Sequence, residues 1–266
     1  NNLDIMSVKS WPGGKGKMTS MTNKVKIMLW VCVVYILSSI CYIPMMLQQH
    51  GVSVPNGLSL LKYLFVCIPA ASAFLFLAFE HRLKKYFATA FSGKIALNHI
   101  GIWAILVFAG LSVSFCYSLA ARTDLLQNTY PSVTVLLSSC MYLFVTAFVE
   151  ELAWRGFLLE QVSFQGESIC SILLVGIIWT IWHLPMWIIR NSLGAGQIIP
   201  LCIWTLLVSV VLGIAYYQCR NLLFIAILHA TFNICYLAPI AYNIAALALV
   251  IIAVALLWRQ KWRSAA

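Results

Sequence analysis

The chain has 266 residues, of which 62% are hydrophobic and only 9% charged, against roughly 45–50% and about 25% in ordinary soluble domains. So few charges cannot cover a water-facing surface, and 13% aromatic residues with a strongly positive mean hydropathy exclude a disordered chain. The formal net charge of +10 is compatible with nucleic acid, a membrane surface or membrane topology, and the positions of the cations decide among these.

Residues 1–25 are polar and Gly-containing, and they are expected to be a disordered N-terminal segment. The sequence does not begin with methionine, and Met18 or Met21 is the expected start. A helix needs about 20 apolar residues to cross the bilayer core. By that measure spans are predicted at Ile27–Leu47, Leu58–Phe79 and Asn98–Ala120. A longer apolar stretch, Val133–Phe164, contains charges. Ile169–Ile189, Ile198–Tyr217, Leu222–Ala238 and Ile240–Trp258 follow, the last two joined by a turn at Pro239. No ten-residue alternation suggests a membrane β-barrel. The expected fold is an all-α, polytopic membrane helical bundle of about eight transmembrane helices over residues 26–258, with a basic cytoplasmic tail at 259–266.

An even number of spans puts both termini on one side. If that side is cytoplasmic, only Lys62, Arg122 and Arg190 fall outside among the 17 Lys and Arg residues. This is the positive-inside bias, and it predicts cytoplasmic termini with membrane lipids as the partners of the basic segments. No basic patch interleaved with stacking aromatics points to nucleic acid. The first span resembles a signal peptide but is longer than a typical h-region and has no small-residue cleavage site, so a retained anchor is expected. The nine cysteines form no CxxC pair and sit mostly in apolar runs, which predicts small buried hydrophobes without a disulfide framework or a thiolate metal site.

Ionisable groups inside apolar runs mark function more often than structure. Two of the seven carboxylates are adjacent, in Phe148-Val149-Glu150-Glu151-Leu152-Ala153-Trp154-Arg155-Gly156. Glu151 and Arg155 are four apart on one helical face in the favourable order, whereas Glu150 lies about 100° around. Glu151 is therefore expected to pair with Arg155, leaving Glu150 as the freer acid and the candidate general base. Of five histidines, His183 and His229 lie within spans. His183 follows Trp179 by four residues, and Pro185, which cannot donate to the carbonyl of Ile181, is expected to bend the helix beside a cavity. His229 and Asn233 share a face. Either histidine alone reads more simply as an interhelical hydrogen-bond partner; beside the acids, a catalytic reading is favoured. His50, His81 and His99 are given no role, and Glu160 and Glu167 are expected to face cytosolic water.

These three motifs in order, Glu-Glu-x-x-x-Arg, aromatic-x-x-x-His and His-x-x-x-Asn, resemble the CPBP family, the CAAX proteases and bacteriocin-processing enzymes also called Abi-type membrane proteases. The resemblance covers about residues 130–240, the expected protease core, and departs from the family pattern where Trp179 replaces the usual Phe. It implies an intramembrane endopeptidase in which Glu150 activates water, His183 positions or polarises it, and His229 and Asn233 donate to the oxyanion. Glu151 and Arg155 would orient the site, and Trp179 would wall the substrate groove. It also implies a peptide or lipidated-protein substrate and a prokaryotic cell membrane. Two mechanisms stay open. A glutamate protease without metal is favoured because Asn233 suits an oxyanion donor better than a zinc ligand. A zinc enzyme would use Glu150, His183 and His229. A non-catalytic bacteriocin-immunity or membrane scaffold protein and an ion-coupled transporter are the rival readings, and the oligomeric state is not read from the sequence.

Overall fold

The computed structural model describes residues 17–95, 101, 133–163, 166–190 and 192–235. The spans expected at 98–120 and 240–258, the turn at Pro239, the basic tail and residues 1–16 therefore lie outside it or almost wholly so. Among the described residues there is helix and turn but no β-strand. The elements are α1 (Lys17–Ile40), α2 (Ile43–Gln49), α3 (Asn56–Ser59), α4 (Ile68–Phe79), α5 (Leu83–Ala90), α6 (Val133–Ala153), α7 (Glu160–Val162), α8 (Ile169–Pro185), α9 (Ala195–Cys219) and α10 (Leu222–Cys235). Two π turns, Trp154–Leu159 and Met186–Arg190, extend α6 and α8.

Among the described residues four segments are long and apolar enough to cross a membrane: Asn23–Gln49, Leu137–Val162, Ile169–Ile189 and Ala195–Cys219. A fifth, Asn56–Tyr63 with Phe65–Phe79, is bent by 41°, where one straight span was expected. Short 3₁₀ pieces on either side of Leu64 explain the bend, since the chain tightens there before α4 restarts with Pro69 in its first turn. Helix α10 is a shorter apolar helix. Large apolar side chains such as Ile36, Phe79, Leu137 and Ile199 point outward, as befits a surface facing lipid rather than water.

Helix α6 packs along α10, and α8 along α9. Small residues permit the second contact. A methyl group on Gly176 of α8 would stand 2.9 Å from Leu206 Cδ1 and 3.1 Å from Ser209 Oγ of α9, so glycine lets the two helices close, a device typical of membrane helix pairs. Helix α1 crosses α4 and α8, and the Tyr35 hydroxyl donates to the carbonyl of Ile178 (2.7 Å).

Helices α9 and α10 join through only Arg220 and Asn221. Arg220 is left-handed (φ 47°), and Asn221 Oδ1 accepts from the Phe224 N–H (3.1 Å), capping α10. Glu160 and Glu167 were expected to face water. Instead both pair with Arg220, Glu167 at 2.6 Å, and so tie the end of α6–α7 and the start of α8 to this turn. Periodicity within one helix gave no sign of a partner 60 residues away.

At another helix end, Glu80 accepts from Lys26 (2.5 Å) and Arg82 (2.7 Å). Partial burial would raise the carboxyl, but the two cations outweigh it and hold it below the ordinary carboxylate value. A folded-state pKa below the unfolded value makes this triad's contribution complete above about pH 4.3 and lost as the pH falls through the lower folded value. Glu80→Gln is thus expected to flatten the acid limb of the stability curve, measured by unfolding between about pH 3 and pH 6; an unchanged acid limb would show that the triad contributes nothing.

Candidate active site

The site forms where α6, α8 and α10 meet. Helix α6 delivers both acids as it passes into its π turn, the kind of local widening often found at functional sites. Glu151 is fully buried and Arg155 almost so. Arg155 Nη1 donates to Glu151 Oε1 at 2.7 Å, and His229 Nδ1 meets the same oxygen at 2.8 Å. One carboxylate oxygen therefore holds groups from two helices. Among the described residues Glu151 Oε2 has no hydrogen-bond partner.

Arg155 is held on two further sides. Its Nη2 donates to Ser209 Oγ of α9 (3.1 Å), and its guanidinium lies 4.7 Å from the centre of the Trp179 ring. Trp179 also serves the other acid, its Nε1–H donating to Glu150 Oε2 at 2.9 Å. The two adjacent glutamates thus diverge, as their 100° separation on the helix requires. Glu151 turns to Arg155 and His229, whereas Glu150 turns to Trp179.

His183 Nδ1 lies 2.9 Å from the carbonyl oxygen of Trp179, one helical turn back. A carbonyl only accepts, so Nδ1 carries the proton and Nε2 is left as the acceptor of a neutral ring. The ring stacks on Trp187 (5.3 Å, 20°) and meets Trp182 edge-on. Trp182 stacks on Phe65 (3.9 Å) and donates to Ser38 Oγ (2.9 Å). An aromatic wall therefore runs from the bent second span to α8. Pro185 ends the α-helical part of α8, and the chain continues as the π turn carrying Trp187.

Glu150, Trp179, His183, His229 and Asn233 all line one cavity of about 320 Å³, together with Lys62, Tyr142, Thr205 and other residues. Asn233 is half-buried, one turn beyond His229 on α10. The three motifs, up to 83 residues apart in the chain, face a common space large enough for several side chains of a bound peptide.

Residues 132–235, less than half of the chain, match the family model described as Type II CAAX prenyl endopeptidase Rce1-like. Over these residues the chain is similar to the CAAX endopeptidases of the CPBP family. A 50-residue stretch is also 34% identical to CAAX prenyl protease 2 of Methanococcus maripaludis, covering 19% of this chain and 18% of that protein. The chain thus matches well under two thirds of that relative's length. Together with the apolar helices among the described residues, this likeness supports a multi-pass membrane protein.

Several residues around the core escaped the sequence reading. Ser209 was legible only as a hydroxyl in an apolar run, and Trp187 as an aromatic four residues after His183. Tyr86, which donates to the carbonyl of Leu152 beside the acids (2.6 Å), gave no local sign. Lys62 stood out as an outer cation without an evident use.

A zinc ion would need Glu150, His183 and His229, which line the same cavity, to converge on one point. Among the described residues no group of three or more His, Cys, Asp and Glu side chains is arranged to hold a metal ion. Both Nδ1 atoms are engaged, by Trp179 and Glu151, which orients each ring and leaves its Nε2 open to the cavity.

Proposed function

We propose that the CPBP core is an intramembrane endopeptidase that hydrolyses peptide bonds with glutamate-activated water. The observation that carries this reading is the shared cavity: a buried carboxylate, two imidazoles and a carboxamide from three helices line it together. Glu150 Oε2 is occupied by Trp179, which leaves Oε1 for water. A water between Glu150 Oε1 and His183 Nε2 would donate a hydrogen to each, turning its lone pair to the scissile carbonyl. Glu150 takes one proton as the C–O bond forms. The oxyanion that develops accepts from Asn233 Nδ2 and from the His229 ring, which Glu151 holds in place. Collapse breaks the C–N bond, and Glu150 returns its proton to the departing amine.

In this account Glu151 and Arg155 do not touch substrate. They fix His229 and Trp179, and through these the two halves of the reaction. The Arg155 guanidinium offsets the Glu151 charge beside it, which lowers the cost of sinking the cluster in lipid. The substrates envisaged are a peptide or lipidated protein tail at the membrane, in line with the prenyl endopeptidases that residues 132–235 resemble.

The purified chain in a membrane mimic, given hydrophobic fluorogenic peptides, tests the reading. Asn233→Ala is expected to lower kcat by about 10²–10³-fold, the usual loss for one oxyanion donor, with little change in KM. A chelator is expected to leave the rate unchanged. A harmless Asn233→Ala together with silencing by chelation would instead establish the zinc mechanism.

A further inference from the structure

The cavity contains a charged group that the hydrolytic chemistry leaves idle. Lys62 lines the same space as Glu150, beside Tyr63 and Tyr142. It belongs to the bent span, two residues before the break at Leu64. Its side chain is half-buried, and its ammonium lies 5.3 Å from the centre of the Tyr63 ring. Among the described residues no carboxylate pairs with it, whereas Lys26, Arg82 and Arg155 each meet one and Arg220 meets two. Near the outer end of its span a lysine can snorkel to the interface, yet Lys62 lines the cavity instead. The bend has the same implication, because irregular backbone at membrane depth is tolerated where it lines a cavity. Lys62 and Glu150 thus give one cavity an unneutralised cation and a buried acid, with aromatic rings around them.

We propose that Lys62 is a specificity-determining residue whose ammonium binds a carboxylate of the substrate and so fixes which peptide bond reaches Glu150. The inference rests on the protease reading. The only anions a peptide ordinarily carries are its C-terminal carboxylate and its Asp and Glu side chains, and both offer the same chemistry to a lysine. A bound carboxylate would supply the counter-charge that the described protein does not provide. It would also anchor the substrate away from the scissile bond, converting binding into orientation.

The test uses the full chain in lipid nanodiscs and one hydrophobic fluorescent peptide in three forms. These are a free C-terminal acid, the C-terminal amide, and the amide with a glutamate in place of a glutamine near the end. Binding is measured on Glu150→Gln protein by fluorescence anisotropy, and cleavage separately with Glu150 in place. The acid or the glutamate form is expected to bind about tenfold more tightly than the plain amide, the usual scale of a charge-assisted contact. That ratio is expected to fall to about one in Lys62→Met and to be largely kept in Lys62→Arg. Whichever form shows the gain identifies the source of the carboxylate.

Equal binding of all three peptides would overturn the proposal. So would a ratio that survives in Lys62→Met, since a merely structural lysine would weaken every peptide alike. Should Lys62→Met fail to insert, Lys62→Gln and the ratio measured with native Lys62 decide the matter. A Lys62-dependent ratio without cleavage of any peptide would keep the carboxylate site and remove the protease reading. Cleavage without a ratio would do the reverse.

Discussion

Glu150→Gln is expected to lower peptide cleavage by about a thousandfold, within the roughly 10²–10⁴-fold range of a general base, while the protein stays inserted and folded. Glutamine keeps a carbonyl oxygen that can accept from Trp179 Nε1, so the 2.9 Å bond that positions the side chain is retained. What it loses is the ability to take a proton from water. Single-turnover cleavage and thermal unfolding, measured on one preparation, separate the two effects. Undiminished cleavage in this variant removes Glu150 from the base role. A large loss of folded protein would assign it a structural role instead.

Arg155→Met is expected to fail in the opposite way, through stability first. Arg155 and Glu151 are 1% and 0% exposed in their side chains. Removing one partner of such a buried pair typically costs about 3–5 kcal/mol, because the other charge is stranded. Glu151 would keep only His229, Ser209 Oγ would lose its donor, and the Trp179 ring would lose the guanidinium above it. Reversible unfolding in mixed micelles should shift accordingly. The double variant Glu151→Gln with Arg155→Met is expected to recover part of that loss, since neither member of the ion pair is then stranded, yet to remain catalytically impaired because the Trp179 ring has lost the guanidinium beside it. An unfolding midpoint equal to that of the unaltered protein would show that the pair does not hold this junction together.

Much of the site was legible because its chemistry is written in short helical intervals. The Glu151–Arg155 spacing of four, the divergence of Glu150, and the pairs Trp179/His183 and His229/Asn233 all follow from 3.6 residues per turn, and each residue lies where those intervals place it. The contacts between helices were not legible. That His229 bonds to Glu151, that Ser209 receives Arg155, and that Trp179 serves both acids depend on how α6, α8, α9 and α10 are arranged, which no interval within one helix encodes. The spans at Ile169–Ile189 and within Ala195–Cys219 could be read from length and hydropathy. The bend at Leu64 could not, because Leu60–Cys67 carries no proline or glycine to announce it.

The π turn Trp154–Leu159 stands between two sets of commitments. Upstream, Glu150 and Glu151 are engaged with α8 and α10; downstream, Glu160 is engaged with Arg220. A wider turn rotates less per residue than an α-helix, so it absorbs a mismatch in phase between the two ends. Changes in the length of the connection around Glu167 can therefore be taken up beyond the turn without swinging the acids out of their cavity. This end of the bundle is where natural or engineered insertions should be borne with least loss of function.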